Sequence, residues 1–484
     1  MRASGNLPLR TKLVATLGPA TASPEAIGAI LDAGVDVCRL NFSHGTHDDH
    51  ARSLSIIRQY AERHGRAVAV LGDLCGPKIR LNRVNGDRTM LRTGQRVRFV
   101  RGTGDCTPER LTTTYAPLVD EVDVGNRIYI DDGLVRLLVT EHDGDSVACN
   151  CTVGGEISTR KGVNLPDTRL SVPALTDKDR ADLAWAIENQ LDYVALSFVR
   201  RPEDLRALRE LLRAESSAPG AVVKIEKFEA LEHLDELIAE SDAVMVARGD
   251  LGVEMDVWQV PLVQKAITAR CRAVGRPVII ATQMLQSMVH NATPTRAEVS
   301  DVANAILDGA DAVMLSAETA AGEFPVAAVD IMTRVALATE AYQSTCPPAS
   351  PPDSLGAATP RTSAVAHAAV QAARDLNAKL VAAWTATGTT VRLIAQHRLP
   401  MPVVGLTYDE RVYRQLCLVY GVIPIRVEPI RETVRMAYTL DLRLIEAGLA
   451  QRGDLIVVVS SSHPTAPGET DTTLVHRVGG VGGR

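Results

Sequence analysis

Eight short apolar runs rich in β-branched residues recur through the chain's first 318 residues, and their rhythm most constrains its fold. They are KLVATLG (12–18), VDVCRLNF (35–42), AVAVLGD (67–73), DYVALSFV (192–199), AVVKIEK (221–227), DAVMVARGD (242–250), PVIIATQ (277–283) and DAVMLSAE (311–318). Amphipathic stretches lie between them, a pattern that predicts parallel α/β architecture. SPEAIGAILDAG (23–34) is one such stretch: Ser23 is placed to cap a helix, Pro24 suits its first turn and Gly34 ends it. Eight β-α units predict a closed (β/α)8 barrel.

One gap breaks the rhythm. Between the third and fourth runs lies a long stretch without helical periodicity. Within it, RIYIDDGLVRLLVTEHDGDSVACNCTV (127–153) reads as alternating strands with Asp-Gly turns. The simplest account is an all-β lid domain inserted at the C-terminal end of the third strand, where barrel active sites lie. STCPPASPPDSLGAATPRT (344–362) has the composition of a linker. The expected division is a barrel over 1–73 and 172–343, a β lid over 74–171, the linker, and a C-terminal α/β domain over 363–484.

A net charge of −6 argues against a nucleic-acid footprint, and no apolar run is long enough to span a membrane. The first residues lack the apolar stretch of a signal peptide, and the 8 cysteines are scattered, so a cytoplasmic protein with free thiols is expected. Cys149 and Cys151 form a C-x-C on one side of a strand, a weak metal signal.

The chemistry gathers where the strand runs end. Arg39, Asn41, Ser43 and His44 end the second, and Asp73 the third. Lys224 and Glu226 lie in the fifth, and Arg248, Gly249 and Asp250 end the sixth. Thr282 and Gln283 end the seventh, Ser316 and Glu318 the eighth. Polar endings on so many buried strands are costly unless they face one wet site. Lys224 and Glu226, two apart on a strand, share a side. Glu226 and Asp250, on neighbouring strands, can converge as a Mg²⁺ or Mn²⁺ site. Lys224 beside them would face a developing anion. A purely structural ion-pair cluster is the plain alternative. Arg39, Arg80 and Lys178 are candidate phosphate contacts, and no Walker-type or kinase-type glycine loop is present.

KLVATLGPA, CRLNFSHG, GDLCGPKIRL, ALSFVR, VKIEK, VARGDLGVE, ATQMLQSM and PTRAEVSDVANAILDGADAVMLSAET occur in that order. Together they resemble the pyruvate kinase family, and IDDG, KGVNLP and TATGTTVRLIA extend the resemblance. It implies phosphoryl transfer from phosphoenolpyruvate to ADP, giving pyruvate and ATP, by a cytoplasmic homotetramer. It further implies that Glu226 and Asp250 hold Mg²⁺ (or Mn²⁺), and that Lys224 stabilises the transferring phosphoryl group and the enolate. Arg39 and Arg80 would grip phosphate oxygens, Gly249 and Asp250 would meet the substrate, Thr282 would stand on the substrate side, and Ser316 would join the water chain that protonates the enolate. His44, Lys178, Arg80 and Asn41 would face the nucleotide.

Many members of the family also use K⁺, at groups resembling Asn41, Ser43, Asp73 and the carbonyl of Leu74. They usually carry a glutamate where this chain has Lys78, one of only 8 lysines among 52 basic residues. With Leu74, Cys75 and Leu81 also departing from the K⁺-dependent pattern, the chain resembles the branch that does not require K⁺, with Lys78 as a built-in counter-ion. In the C-terminal domain, Thr385, Thr387, Gly388, Thr389 and Thr390 resemble a loop for a phosphorylated effector, although it lacks a basic residue, and the tail 461–473 is expected to fold over it.

Two features carry plainer expectations. In HGTHDDH (44–50) the aspartates suit a helix's first turn better than a metal. Ala317 stands where the family has glycine, and is strained if that position needs a positive φ. Two other functions fit the sequence less well: an aldolase or carboxyl-transfer lyase on the same barrel needs no lid, and a non-catalytic sensor should have lost Lys224, Glu226 or Asp250.

Overall fold

The computed structural model describes residues 9–213, 218–346, 359–430, 433–462 and 470–480. Eight parallel strands close a barrel: Lys12–Thr16, Val37–Asn41, Ala69–Asp73, Tyr193–Leu196, Gly220–Ile225, Ala243–Ala247, Val278–Ala281 and Ala312–Leu315. Each pairs with its neighbours in the chain, and the eighth closes on the first. Ser23 caps the helix Pro24–Ala33, and Gly34 ends it at a φ of 128°, where a side chain would be strained.

Five strands stop short of the polar ends expected of them, the second, fifth, sixth, seventh and eighth, and the backbone shows why. Phe198, Thr282 and Gln283 adopt positive φ (58°, 67° and 54°), and Arg248 opens the short helix Arg248–Glu254. The chain turns sharply just past the last ladder bond, carrying polar side chains onto the rim instead of leaving them in the sheet. A positive φ is costly for a β-branched or bulky residue and persists only where surroundings enforce it.

The inserted segment is all-β. Its main sheet runs Val163–Asn164, Arg127–Ile130, Val135–His142, Ser146–Val153, Arg96–Val100 and Arg110–Leu111, and Gly155–Ser158 pairs with Arg88–Leu91. Alternating burial along Val135–His142 gives the lid its own core, which includes Cys149 and Cys151. Burial pushes both thiols up, Cys149 to about 12, so they pack as hydrophobes, not metal-binding thiolates. Leu170 packs in this core too.

The C-terminal domain has a five-stranded sheet in the order Val422–Arg426, Val403–Thr407, Val381–Trp384, Leu455–Ser460 and Thr472–Arg477, the last antiparallel. Its first helix, Pro360–Asp375, begins inside the expected linker, because Pro360 supplies an N-terminal helix position. Residues 347–358 and 463–469, covering most of the linker and much of the expected loop cover, lie outside the described residues.

This domain also forms the barrel's floor. Cys417 and Leu418 join the hydrophobic cluster inside the barrel, beside Val14, Val37, Val222 and Met314. Around that plug Asp192, fully buried, accepts from Arg58 and Arg414 and from the Val70 N–H. Lys12 donates to the Val422 carbonyl at 2.7 Å. Among the described residues, no helix is long and apolar enough to cross a membrane.

Candidate active site

At the opposite, C-terminal mouth the strand ends bring Lys224, Glu226, Asp73 and Arg39 together in a buried cluster. Arg39 Nε donates to Asp73 Oδ2 at 2.7 Å and its Nη1 to Thr16 Oγ1 at 2.9 Å. Lys224 Nζ lies 3.4 Å from Asp73 Oδ1 and 3.2 Å from Glu226 Oε2. Burial alone would lower the lysine's pKa; Asp73, Glu226 and Asp250 outweigh it, against Arg39, and leave it raised. The ammonium is therefore held fully charged in a site 12% exposed.

Sequence reasoning missed the residue that orients it. Ser197 Oγ accepts from Lys224 Nζ at 2.7 Å and donates to the Leu74 carbonyl at 2.7 Å. The next residue, Phe198, gives its backbone N–H to Glu226 Oε1 at 2.6 Å. One two-residue corner thus positions both the lysine and the carboxylate. It also touches the lid's point of departure: Gly76 has a φ of 66°, and a Cβ there would sit 2.5 Å from the Phe198 ring. The signal lay in ALSFVR, where a lone hydroxyl follows an apolar run.

Glu226 is nearly all buried, yet its Oε2 has no hydrogen-bond donor; the Lys224 contact is an ion pair without hydrogen-bond alignment. Burial raises its pKa, Asp250 and Asp73 raise it further, and Lys224 and the Phe198 N–H pull it down. Three carboxylates (Asp73, Glu226, Asp250) meet two cations here, leaving a negative excess beside an orphaned oxygen. Two carboxylates with further positions open to water and substrate fit Mg²⁺, which keeps several non-protein ligands. Among the described residues no group of three or more His, Cys, Asp or Glu side chains placed to hold a metal ion occurs.

Across the mouth, Thr282 Oγ1 accepts the Gly249 N–H at 2.7 Å and donates to the Ala281 carbonyl. Arg248 ties this turn to Asp301 and to the Thr282 carbonyl. Ser316 Oγ is buried without a partner, a second polar atom waiting for water or substrate. Ala317 has no positive φ; it begins the turn Ala317–Ala320, so the feared strain is absent. Glu318 does not face the wet site. It is fully buried and accepts the Leu285 and Ser316 N–H groups.

The remaining candidates lie further out. Lys178 donates to the Phe42 carbonyl at 2.8 Å and to Asp182 at 2.6 Å, beside the strand end that carries exposed His44. Asp48 and Asp49 occupy the first turn of His47–His64, capped by Thr46. Arg80 belongs to the lid: it bridges to Gly162 and its guanidinium donates to the Arg160 carbonyl. Lys78 is exposed, and no side-chain bond joins it to the Asp73 cluster. Asn41 Oδ1 accepts the Ser43 N–H at 3.1 Å.

In the C-terminal domain, Gly388 (φ 80°) caps the helix Thr389–Ala395, its N–H held by Thr385 Oγ1. Thr390 bonds Thr470, and Thr387 and Thr389 bond each other. The loop has a cation after all: Arg392 folds back one turn onto the Thr387 carbonyl and Thr389.

Two family models match the chain: the pyruvate kinase barrel domain over residues 9–329 and the pyruvate kinase alpha/beta domain over 363–476. A pyruvate kinase of Mycobacterium intracellulare is 43% identical over 472 residues, covering 97% of this chain and 98% of that protein. One of Corynebacterium glutamicum is 41% identical over 470 residues, with the same coverage. Among solved structures, a pyruvate kinase from Cryptosporidium parvum superposes with a TM-score of 0.88 at 32% identity, over 97% of this chain and 96% of its own.

Proposed function

The chain belongs to the pyruvate kinase family of phosphotransferases, and on that premise we propose that it transfers the phosphoryl group of phosphoenolpyruvate to ADP, with Mg²⁺ bound and without a K⁺ requirement. The observation that carries this reading is the orphaned Glu226 Oε2, buried beside a fully charged lysine.

Glu226 and Asp250 are the residues that would hold the divalent ion, Mg²⁺ or Mn²⁺; when bound, it would neutralise charge on the substrate's oxygens. Lys224, kept cationic by three carboxylates, would meet charge developing on the phosphoryl group and on the enolate left behind. Ser197 fixes its direction. Thr282 holds the Gly249 turn against the substrate side, and Ser316, with a free buried hydroxyl, suits passage of a proton to the enolate. Arg39 is an expected phosphate contact. Lys178, His44 and Asn41 suit the nucleotide side, which Arg80 would join on lid closure; closure would also exclude water.

Independence from K⁺ is supported by the state of the expected K⁺ ligands. Asn41 Oδ1 holds the Ser43 N–H, Asp73 is paired with Arg39, and the Leu74 carbonyl accepts from Ser197. Lys78 would bring its charge to this group when the lid closes. Self-association, a homotetramer by family analogy, is supported by exposed Val257, Trp258 and Leu262. A cytoplasmic setting accords with eight free cysteines. A phosphorylated effector at Thr385–Thr390 is supported by Arg392.

The test is a coupled assay for ATP from phosphoenolpyruvate and ADP with Mg²⁺. Turnover is expected; its absence in folded protein would overturn the reading, and pyruvate-forming cleavage without ADP would favour a lyase.

A further inference from the structure

Beside the charged cluster at the barrel's mouth lies a second buried ion pair, to which the catalytic reading gives no role. Lys227 Nζ donates to Glu254 Oε1 at 2.6 Å, and the two residues are 5% and 6% exposed. Lys227 follows Glu226, and Glu254 ends the short helix Arg248–Glu254 that carries Asp250. Successive side chains of an extended chain point to opposite sides, so Lys227 turns away from the wet site that Glu226 faces.

The pair spans a gap in the backbone. The ladder between the fifth and sixth strands ends at Ile225 and Val246, before Glu226 or Asp250 is reached. Among the described residues, the Lys227–Glu254 contact is the one hydrogen bond or ion pair that joins residues 226–227 to residues 248–254. Lys227 also braces the corner that serves Glu226. Its ammonium lies 5.7 Å from the centre of the Phe198 ring, and the Phe198 N–H donates to Glu226 Oε1. Stability alone gives little reason for such a pair, since well-packed apolar residues of similar volume avoid the desolvation of two ions. A directional bond between charged groups, however, fixes the separation of the two segments it joins.

We propose that Lys227 and Glu254 are positioning residues for the divalent ion. Their bond clasps the Asp250 helix to the strand end that carries Glu226, and so sets the spacing of the two carboxylates. Both act through other residues, and the inference rests on the reading of Glu226 and Asp250 as the ion's ligands. Groups one bond removed from a metal ligand typically change metal affinity about 10–100-fold when they are lost.

Mn²⁺ binding to the full chain, followed by electron paramagnetic resonance without substrate, tests it. Lys227→Met and Glu254→Gln should each weaken binding about 10–100-fold. The Mg²⁺ needed for half-maximal rate should rise in step, with kcat falling less. Each single variant leaves the other charge buried alone, at a cost in stability. The double variant Lys227→Met with Glu254→Gln removes both charges, should fold, and should weaken Mn²⁺ binding as the single variants do. Exchanging the pair, Lys227→Glu with Glu254→Lys, should restore part of the binding, a rescue that a purely packing role does not give. Glu226→Gln separates the two readings. If it weakens Mn²⁺ binding while the neutral double variant binds as wild type, the clasp is overturned and the metal site stands. If Glu226→Gln binds Mn²⁺ as wild type, the metal reading falls and the clasp falls with it.

Discussion

At the barrel's N-terminal mouth, Asp192 and Asp311 are fully buried and both carboxylates are satisfied: Asp192 by Arg58, Arg414 and the Val70 N–H, Asp311 by Arg398 and the N–H groups of Val278 and Tyr420. At the C-terminal mouth Glu226 is as deeply buried and keeps one oxygen without a donor, and Ser316 keeps a hydroxyl without a partner. The floor is sealed by Cys417 and Leu418; the rim is left wet and strained, with Phe198 and Thr282 at positive φ. The difference separates charge used for stability from charge held ready for chemistry. A few other groups towards the floor, on Arg272 and Arg398, the Gln396 amide and Glu410 Oε2, also lack hydrogen-bond partners, but Arg398 is paired with Asp311 and Glu410 Oε2 lies 2.6 Å from Arg426.

Substitutions at the two mouths should therefore fail in different ways. The largest effect is expected from Lys224→Met at the rim: ATP formation should fall by about 10³-fold or more, since the ammonium faces the developing charge, with an unchanged circular dichroism spectrum. Retained activity would reduce the cluster to a structural ion-pair group.

Glu226→Gln should cost about 10²–10³-fold in activity and weaken Mn²⁺ binding measured by electron paramagnetic resonance. In metal-free protein it should raise Tm by about 2 °C. The sign follows from the raised pKa of Glu226. A carboxyl with a raised folded pKa adds stability fully below its unfolded pKa, and that contribution is lost as pH rises through the folded value. At neutral pH the ionised group is a liability that a neutral amide removes. A lower Tm for the amide would break the comparison.

At the floor, Leu418→Ala should destabilise by about 2–4 kcal/mol through the cavity it leaves, seen in urea unfolding, with kcat within about twofold of wild type. A collapse of kcat without loss of stability would show that the two mouths are not separable. Ser197→Ala should lower kcat about tenfold, with a smaller change in KM, because it loosens the lysine without removing it; Ser197→Thr should restore part of the loss. The smallest effect is expected from the monovalent ion. Rates in K⁺ and Na⁺ at equal ionic strength should agree within about twofold, and Lys78→Glu should widen the gap. Strong activation by K⁺ alone would show that the paired oxygens around Asp73 open to a cation.

The barrel and its lid were legible because eight apolar runs and one aperiodic interval leave little choice of topology. Lys224, Glu226 and Asp250 were legible as well, since charged residues at the ends of buried strands need a reason. Ser197 was not, because a single serine among apolar residues satisfies itself in most strands. Glu318 misled for the opposite reason: it looks like another rim carboxylate, but its two oxygens are used up by backbone N–H groups. Arg392 was missed because it lies one helical turn beyond the loop it serves, a distance that only the fold closes.

The plug at Cys417 and Leu418 bears on the order in which the chain can mature. The residues that close the barrel's floor are made about 100 residues after its eighth strand, and domains emerge from synthesis N-terminal first. Until they arrive, the nascent barrel has an open apolar end facing solvent. The C-terminal domain thus completes the core of its neighbour, and neither can be cut away as a spare module.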